Sequence, residues 1–314
     1  MSAITVSGLT KDYGEVLAND DVSFSVAEGE VFGYLGPNGA GKTTTIRTLM
    51  GFQSPTAGTA TLLGADVRDE AALIEAKQRI GYLPANPGFD AQSTGRQILD
   101  LHASIKGDSR RDDLLEIFDP PLDRKVREYS TGNKQKLGLV QAFMHDPDLV
   151  IMDEPTSGLD PLMQQRFNEF VRAEKERGTT VFLSSHVLGE VRQICDRVGI
   201  IREGRMVTVE TVADLLGRSG KSVLVRVAGE VDAESIALDG IHDLTVRPLE
   251  RVASEAVVGD GGGEVATATE LTFTFTGDVN DLVDLVDGYD LLELDVEEAP
   301  LEDVFMRFYG DDDV

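Results

Sequence analysis

Along roughly the first two hundred residues, short apolar runs take turns with longer segments of helical period. Residues 4–9 (ITVSGL) and 22–26 (VSFSV) alternate as half-buried strands do. Residues 30–35 (EVFGYL) form an apolar run that leads into a glycine-rich turn and a helix at about 42–50. A strand, a connector and a helix fill 58–84, ending at IGYLP, and 92–118 reads as helical until the DPP of 119–121 closes it. A helix from about 132 to 145 precedes LVIM at 149–152, and one at 161–177 precedes TVFLS at 180–184. A last helix near 187–196 precedes VGIIREGRMV. Continuously apolar strands alternating with helices predict an α/β domain over residues 1–217 with a largely parallel core sheet.

The pattern changes near 217–221 (GRSGK). Beyond it come the β-rich stretches SVLVRVAG and ELTFTFTG, separated by VVGDGGGEVATATE at 257–270, a low-complexity acidic insert. The helical pattern DVNDLVDLVDG, then LLELDVEEA and LEDVFMRFYG, complete the chain. Residues 221–314 are therefore expected to form a small, separate α+β domain with a flexible interior loop. No tandem repeat is visible.

Charge sharpens this division. The net charge is −27, and residues 221–314 alone hold 24 acidic and 5 basic residues. Such a field repels nucleic acid and anionic lipid, so no nucleic-acid partner is expected. Among basic residues, 20 Arg stand against 9 Lys. An acidic, lysine-poor surface suits a halophile's cytoplasm, where molar salt shrinks screening to about 3 Å; a mesophilic protein with an acidic interaction surface is the alternative. The single cysteine, Cys195, excludes an internal disulfide framework and fits a reducing compartment. No apolar run is long enough to span a bilayer, and the N-terminus carries no secretory pattern, so a soluble cytoplasmic chain is expected. Any work at a membrane then goes through a partner.

Three stretches carry chemistry. Gly36, Pro37, Asn38, Gly39, Ala40, Gly41, Lys42 and Thr43, with Thr44 next, form a phosphate-binding loop between a strand and a helix. Glycines let several backbone N–H groups face one phosphate, and the helix N-terminus adds its positive end. Lys42 is placed to reach the β- and γ-phosphates, and the Thr43 hydroxyl to ligate Mg²⁺. In DLVIMDEPTSGLDP (148–161), Asp153 stands at the carboxyl end of a buried strand, where α/β sheets bind ligands, and is the expected second holder of Mg²⁺ through water. Glu154 follows and is placed to polarise a water attacking the γ-phosphate. In FLSSH (182–186), His186 ends a third strand as a candidate γ-phosphate sensor.

The order GPNGAGKT, YSTGNKQKL, LVIMDEPTSGLDP, SSH over residues 1 to about 210 resembles the nucleotide-binding ATPase of ABC transporters. The resemblance implies a P-loop ABC fold, with a parallel core sheet plus antiparallel β and helical subdomains. It also implies ATP and Mg²⁺ as cofactors, and a head-to-tail homodimer in which Ser130 and Gly132 cap the γ-phosphate held by the other chain. The family's signature is usually Leu-Ser-Gly-Gly-Gln; here Tyr129, Thr131 and Asn133 depart from it, and Thr131 adds a Cβ where backbone nears nucleotide. Tyr13 resembles the family's adenine-stacking aromatic, and Ser157, Gly158, Leu159 and Asp160 resemble the loop linking the two sites. The family's metal-contacting lid glutamine falls on Ala85, with Asn86 next to it. PLEDVFMRFYG at 300–310, after an acidic tail, looks like the extra C-terminal domain of drug- and antibiotic-export ATPases. The expected function is ATP hydrolysis powering export by a separately encoded membrane permease, on whose cytoplasmic side the chain sits. The alternatives are a soluble ABC-type ATPase, disfavoured by the absence of a long coiled coil or a second nucleotide motif set, and a nucleotide-sensing module, disfavoured by Glu154.

Overall fold

The computed structural model describes residues 1–233, 236, 238–252 and 265–298. The chain divides into two compact units, Met1–Val212 and Ala213–Val314. The first opens with β1 (Ser2–Asp12), β2 (Leu17–Ala27) and β3 (Val31–Leu35), followed by α1 (Lys42–Leu49). Then come β4 (Ala57–Leu62), β5 (Ala65–Asp66), α2 (Glu70–Lys77) and β6 (Ile80–Leu83). A helical stretch holds α3 (Gly95–Lys106), α4 (Arg111–Phe118) and α5 (Thr131–Phe143). The unit is completed by β7 (Leu149–Asp153), α6 (Pro161–Glu176), β8 (Thr180–Ser185), α7 (Leu188–Ile194), β9 (Arg197–Arg202) and β10 (Arg205–Thr211).

These elements form a four-stranded antiparallel sheet, β2-β1-β4-β5, and a six-stranded sheet, β10-β9-β3-β8-β7-β6. In the larger sheet β9, β3, β8, β7 and β6 run parallel, and only the edge strand β10 is antiparallel to its neighbour. Every residue of β3, β7 and β8 is buried, as the apolar runs require of strands covered on both faces. The two sheets meet in one core, where Phe24 of β2 stacks on Phe32 of β3 at 5.6 Å and on Phe182 of β8 at 5.8 Å. Each such ring contributes on the order of 1.5–3 kcal/mol by burial.

Parallel strands deliver their carboxyl ends to one edge, which is where this fold places its chemistry. The loop 36–41 follows β3, residues 84–88 follow β6, Asp153 closes β7 and His186 follows β8. Several helix starts are capped by their own side chains. Thr94 and Gln97 form a reciprocal capping box on α3, and Asp160 caps α6 with Pro161 at its first position.

The helix-like stretch 92–118 is made of two helices, α3 and α4. Gly107 at φ 93° ends α3, the N–H groups of Ser109 and Arg110 both donate to Met144 O, and Arg110 pairs with the buried Glu174 at 2.6 Å.

The second unit carries α8 (Val212–Ser219, whose first residue belongs to the first unit), β11 (Lys221–Ala228), β12 (Ile241–Val252), β13 (Val265–Phe275), α9 (Val279–Asp287) and β14 (Leu291–Glu298). Its antiparallel sheet has the order β12-β13-β11-β14. Val223, Val225, Leu271, Phe273 and Phe275 pack with Leu282 and Val286 of α9. Arg226 bonds Glu270 at 2.8 Å and also Glu293, across both neighbouring strands. The flexible insert expected over 257–270 is corrected in part: residues 265–270 belong to β13, paired in register with β11 and β12. Residues 257–264 of that insert and the 300–310 ending lie outside the described residues.

Candidate functional site

The loop after β3 is shaped by close backbone approach. A Cβ on Gly36 would sit 2.4 Å from Ile201 O, and one on Gly41, at φ 105°, would sit 2.3 Å from Ala18 O. Only glycine fits at either place. Asn19, fully buried, donates to Thr45 Oγ1 at 3.0 Å and pins the start of α1 to β2. The loop thereby wraps a cavity of about 750 Å³ lined by Tyr13, Val16, Pro37, Asn38, Gly39, Gly41, Lys42, Thr43, Thr44, Ala85 and Glu154, among others. First-turn N–H groups of α1 lack helical partners, so this cavity offers donors to an anion.

Lys42, Thr43 and Glu154 of this lining are bonded to one another or to Asp153 and His186 just behind it. Lys42 Nζ donates to Gly36 O at 2.6 Å and Pro37 O at 3.2 Å, and lies 3.5 Å from Glu154 Oε1. Thr43 Oγ1 donates to Asp153 Oδ2 at 2.9 Å. Ser184 Oγ of β8 donates to the other carboxylate oxygen, Asp153 Oδ1, at 2.5 Å. His186 Nδ1 lies 2.8 Å from Glu154 Oε2. Hydroxyl and carboxylate oxygens side by side are hard donors of the kind Mg²⁺ takes, so the residues fit that ion. The phenol of Tyr82 in β6, on the same sheet edge, is pushed up by burial and by the Asp153 charge.

Glu154 itself sits at φ 51°, a left-handed conformation that costs a non-glycine residue roughly 1 kcal/mol or more. Its peptide is held from both ends. The N–H donates to Ser184 O at 3.2 Å and Ser184 Oγ at 3.1 Å. The carbonyl accepts from Ser157 N and from Gln135 Nε2, each at 3.2 Å. Strained residues held this firmly cluster at functional sites, and Glu154 lines the cavity beside Lys42.

A cradle of backbone donors, a lysine, a hydroxyl–carboxylate pair and a second carboxylate at the strand ends of a parallel sheet is a site built for a nucleoside triphosphate. Residues 19–157 match the family model described as ABC transporter. The bacitracin transport ATP-binding protein BcrA of Bacillus licheniformis is 34% identical over 98% of this chain and 97% of its own length. The daunorubicin resistance ATP-binding protein DrrA3 of Streptomyces coeruleorubidus is 34% identical over 99% of this chain and 97% of its own. The chain belongs to the ABC transporter ATP-binding family. A solved ATP-binding subunit of an ABC transporter, 31% identical, superposes with a TM-score of 0.64 and covers 69% of this chain and 92% of that one. This ABC ATPase therefore binds and hydrolyses ATP.

Most of the expected site residues come together in the ABC ATPase. Tyr13 is exposed at the cavity mouth, its hydroxyl donating to Gln53 Oε1 at 2.6 Å, while Gln53 Nε2 donates to Thr44 O at 2.9 Å. Ser130 and Gly132 do not line the cavity. Ser130 Oγ accepts from Asn133 N at 3.2 Å and caps its own helix, and a Cβ on Gly132 would lie 2.5 Å from Gly158 O. The Thr131 methyl packs against Gly158 as well, 3.0 Å from where a Cβ would stand there. In the lid, Ala85 lines the cavity and Asn86 is exposed. Neighbouring Pro84, Pro87 and Gly88 border a second groove of about 380 Å³ with Phe52, Lys77, His102 and Lys106. Ser184, Gln135 and Gln53 are the contributors that motif reading passes over. Gln135 offers one signal, a lone polar residue on the face of α5 that carries the buried Leu139.

Proposed function

We propose that this ABC ATPase works as a head-to-tail homodimer on the inner face of a cell membrane and powers export through a separately encoded permease. Residues 1–217 would form the ATPase domain and 221–314 an accessory acidic domain. The observation that carries the catalytic part is the pairing of Glu154 with Lys42 and His186 at the edge of the nucleotide cavity. Export is supported by likeness over nearly the whole chain to proteins described as bacitracin transport and daunorubicin resistance ATP-binding proteins. Among the described residues no helix is long and apolar enough to cross a membrane.

In this reading the loop N–H groups and Lys42 grip the β- and γ-phosphates, and Tyr13 stacks on the adenine. Thr43 and Asp153 would hold Mg²⁺, which when bound neutralises charge on the phosphates. Glu154 accepts the proton of the attacking water, and His186 holds the Glu154 carboxylate in place while sensing the γ-phosphate. Positioning and charge supply the acceleration, since phosphoryl transfer asks little covalent chemistry of the protein. Ser130 and Gly132 lie away from their own chain's cavity, which supports a site completed by a second copy. The lid segment borders both the cavity and the second groove, which supports its reporting nucleotide state to a partner. The acidic, arginine-rich surface supports adaptation to molar salt.

Glu154→Gln tests the base: ATP binding should persist while turnover falls by about two orders of magnitude or more. Near wild-type hydrolysis would refute the assignment. The same variant tests the dimer. Cys195 is buried and is the chain's single cysteine, so cysteines introduced by Asn38→Cys in one chain and Thr131→Cys in another report on assembly cleanly. ATP should drive a cross-link between the two chains, and failure to form one in the Glu154→Gln background would refute the head-to-tail arrangement. Reconstitution with a membrane permease in vesicles should make hydrolysis responsive to that permease; indifference would sink the coupling.

A further inference from the structure

Gln135 lies one turn into α5, the helix whose start carries Ser130 and Gly132, and it is 1% exposed. Its Nε2 donates to two backbone carbonyls of another segment, Glu154 O at 3.2 Å and Pro155 O at 2.9 Å. Both partners are acceptors, so the amide nitrogen must face them and the orientation is fixed. The bond therefore holds the carbonyl of the base itself, while Ser184 holds its N–H. Glu154 is the residue at φ 51°, where small changes in backbone support decide whether the strained conformation is kept. A second contact runs between the same two segments, with Gly132 and Thr131 packed against Gly158.

We propose that Gln135 is a positioning residue for hydrolysis, tying the helix that reaches toward the partner's nucleotide to the backbone of the same chain's Glu154. A shift of α5 on engaging a phosphate through Ser130 is then delivered to the carbonyl of the base in the chain's own cavity. Each chain's signature would sense one nucleotide and set the base that acts on the other. The proposal rests on the reading of Glu154 as the base in a two-chain site.

The test compares Gln135→Leu and Gln135→Met, which keep the volume and lose the donor, with wild type in steady-state ATPase assays below each melting temperature. Both variants should lower kcat by about 10- to 100-fold while the affinity for a fluorescent ATP analogue stays within about twofold. A merely structural role would move stability and leave kcat near wild type in whichever variant folds. In single-turnover assays with protein in excess, adding Gln135→Leu to Glu154→Gln should cost less than about threefold more, because Gln135 acts through Glu154. Losses that multiply overturn the proposal, and so does a kcat within twofold of wild type in either single variant. A wild-type chain without turnover overturns the ATPase reading and this proposal with it, whereas active wild type with equally active variants overturns this proposal alone.

Discussion

Ser184→Ala removes one hydroxyl that serves both acids of the site. Ser184 Oγ donates to Asp153 Oδ1 at 2.5 Å and accepts from the Glu154 N–H at 3.1 Å, and the residue is fully buried. The first is a charge-assisted bond, worth about 1.5–3 kcal/mol when one partner is deleted. The second is smaller in its loss, because the Glu154 N–H keeps Ser184 O at 3.2 Å. Asp153 keeps Thr43 and loses its anchor on β8, so its carboxylate can rotate away from the position that would hold Mg²⁺. If about 2 kcal/mol of this loss reaches the transition state, kcat falls about 30-fold at 1.36 kcal/mol per decade. ATPase rates measured across a Mg²⁺ titration should show both the lower plateau and a higher half-saturating Mg²⁺. Circular dichroism melts provide the control for folding. Turnover within twofold of wild type with an unchanged Mg²⁺ requirement would refute the idea that Ser184 holds the two acids in register.

Three further expectations use other parts of the molecule. Asn86→Ala should leave the Mg²⁺ dependence of turnover unchanged, since Ala85 lines the cavity and Asn86 is exposed; a clear rightward shift in the Mg²⁺ requirement would show that Asn86 has replaced the lid glutamine. His102 and His145 face each other at 5.4 Å near Lys106, and burial, with the nearby charge, depresses each to about 4 from 6.5. Their neutral forms are favoured in the fold, so their contribution is complete above pH 6.5 and is lost as pH falls toward 4. His102→Gln with His145→Phe should flatten that part of a denaturation profile, and an unchanged slope would refute it. Lowering KCl from about 3 M to about 0.1 M should lower the melting temperature, because unscreened carboxylates repel across 221–314, and an unchanged value would sink the salt-adaptation reading.

The parts of this architecture that are legible in sequence are those where one local segment does one physical job. VFGYL and LVIM are continuously apolar because both faces are covered, and the glycine loop is legible because only glycine lets the backbone approach Ile201 and Ala18. Segments decided by distant partners are not legible. The α3–α4 break depends on Met144 and Glu174, which lie far along the chain. The VATATE stretch looks like a loop by composition, yet Thr269 and Glu270 pair with Val227 and Arg226 of β11 and become strand. Ser184 and Gln135 fall inside quoted motifs, but their roles depend on which strand or helix stands opposite, and no spacing rule encodes that.

The signature start shows how one local role leaves room for a second. Ser130 Oγ accepts from Asn133 N at 3.2 Å, which is an ordinary helix cap and taken alone needs no ligand. A hydroxyl has one donor and two acceptor positions, so accepting from Asn133 does not consume its hydrogen. The first-turn N–H of Gly132 has no carbonyl one turn earlier within the helix to bond. The cap therefore fixes Ser130 while leaving its O–H and the first-turn N–H of Gly132 without a bond inside the helix, donors of the kind an anion takes. Thr131, exposed between them, packs its methyl on Gly158 and so braces this helix start against the segment that follows Glu154. Self-capping and recognition of a partner's phosphate are thus compatible demands on one serine, and the departure from glycine at Thr131 has a structural use on the side facing its own chain.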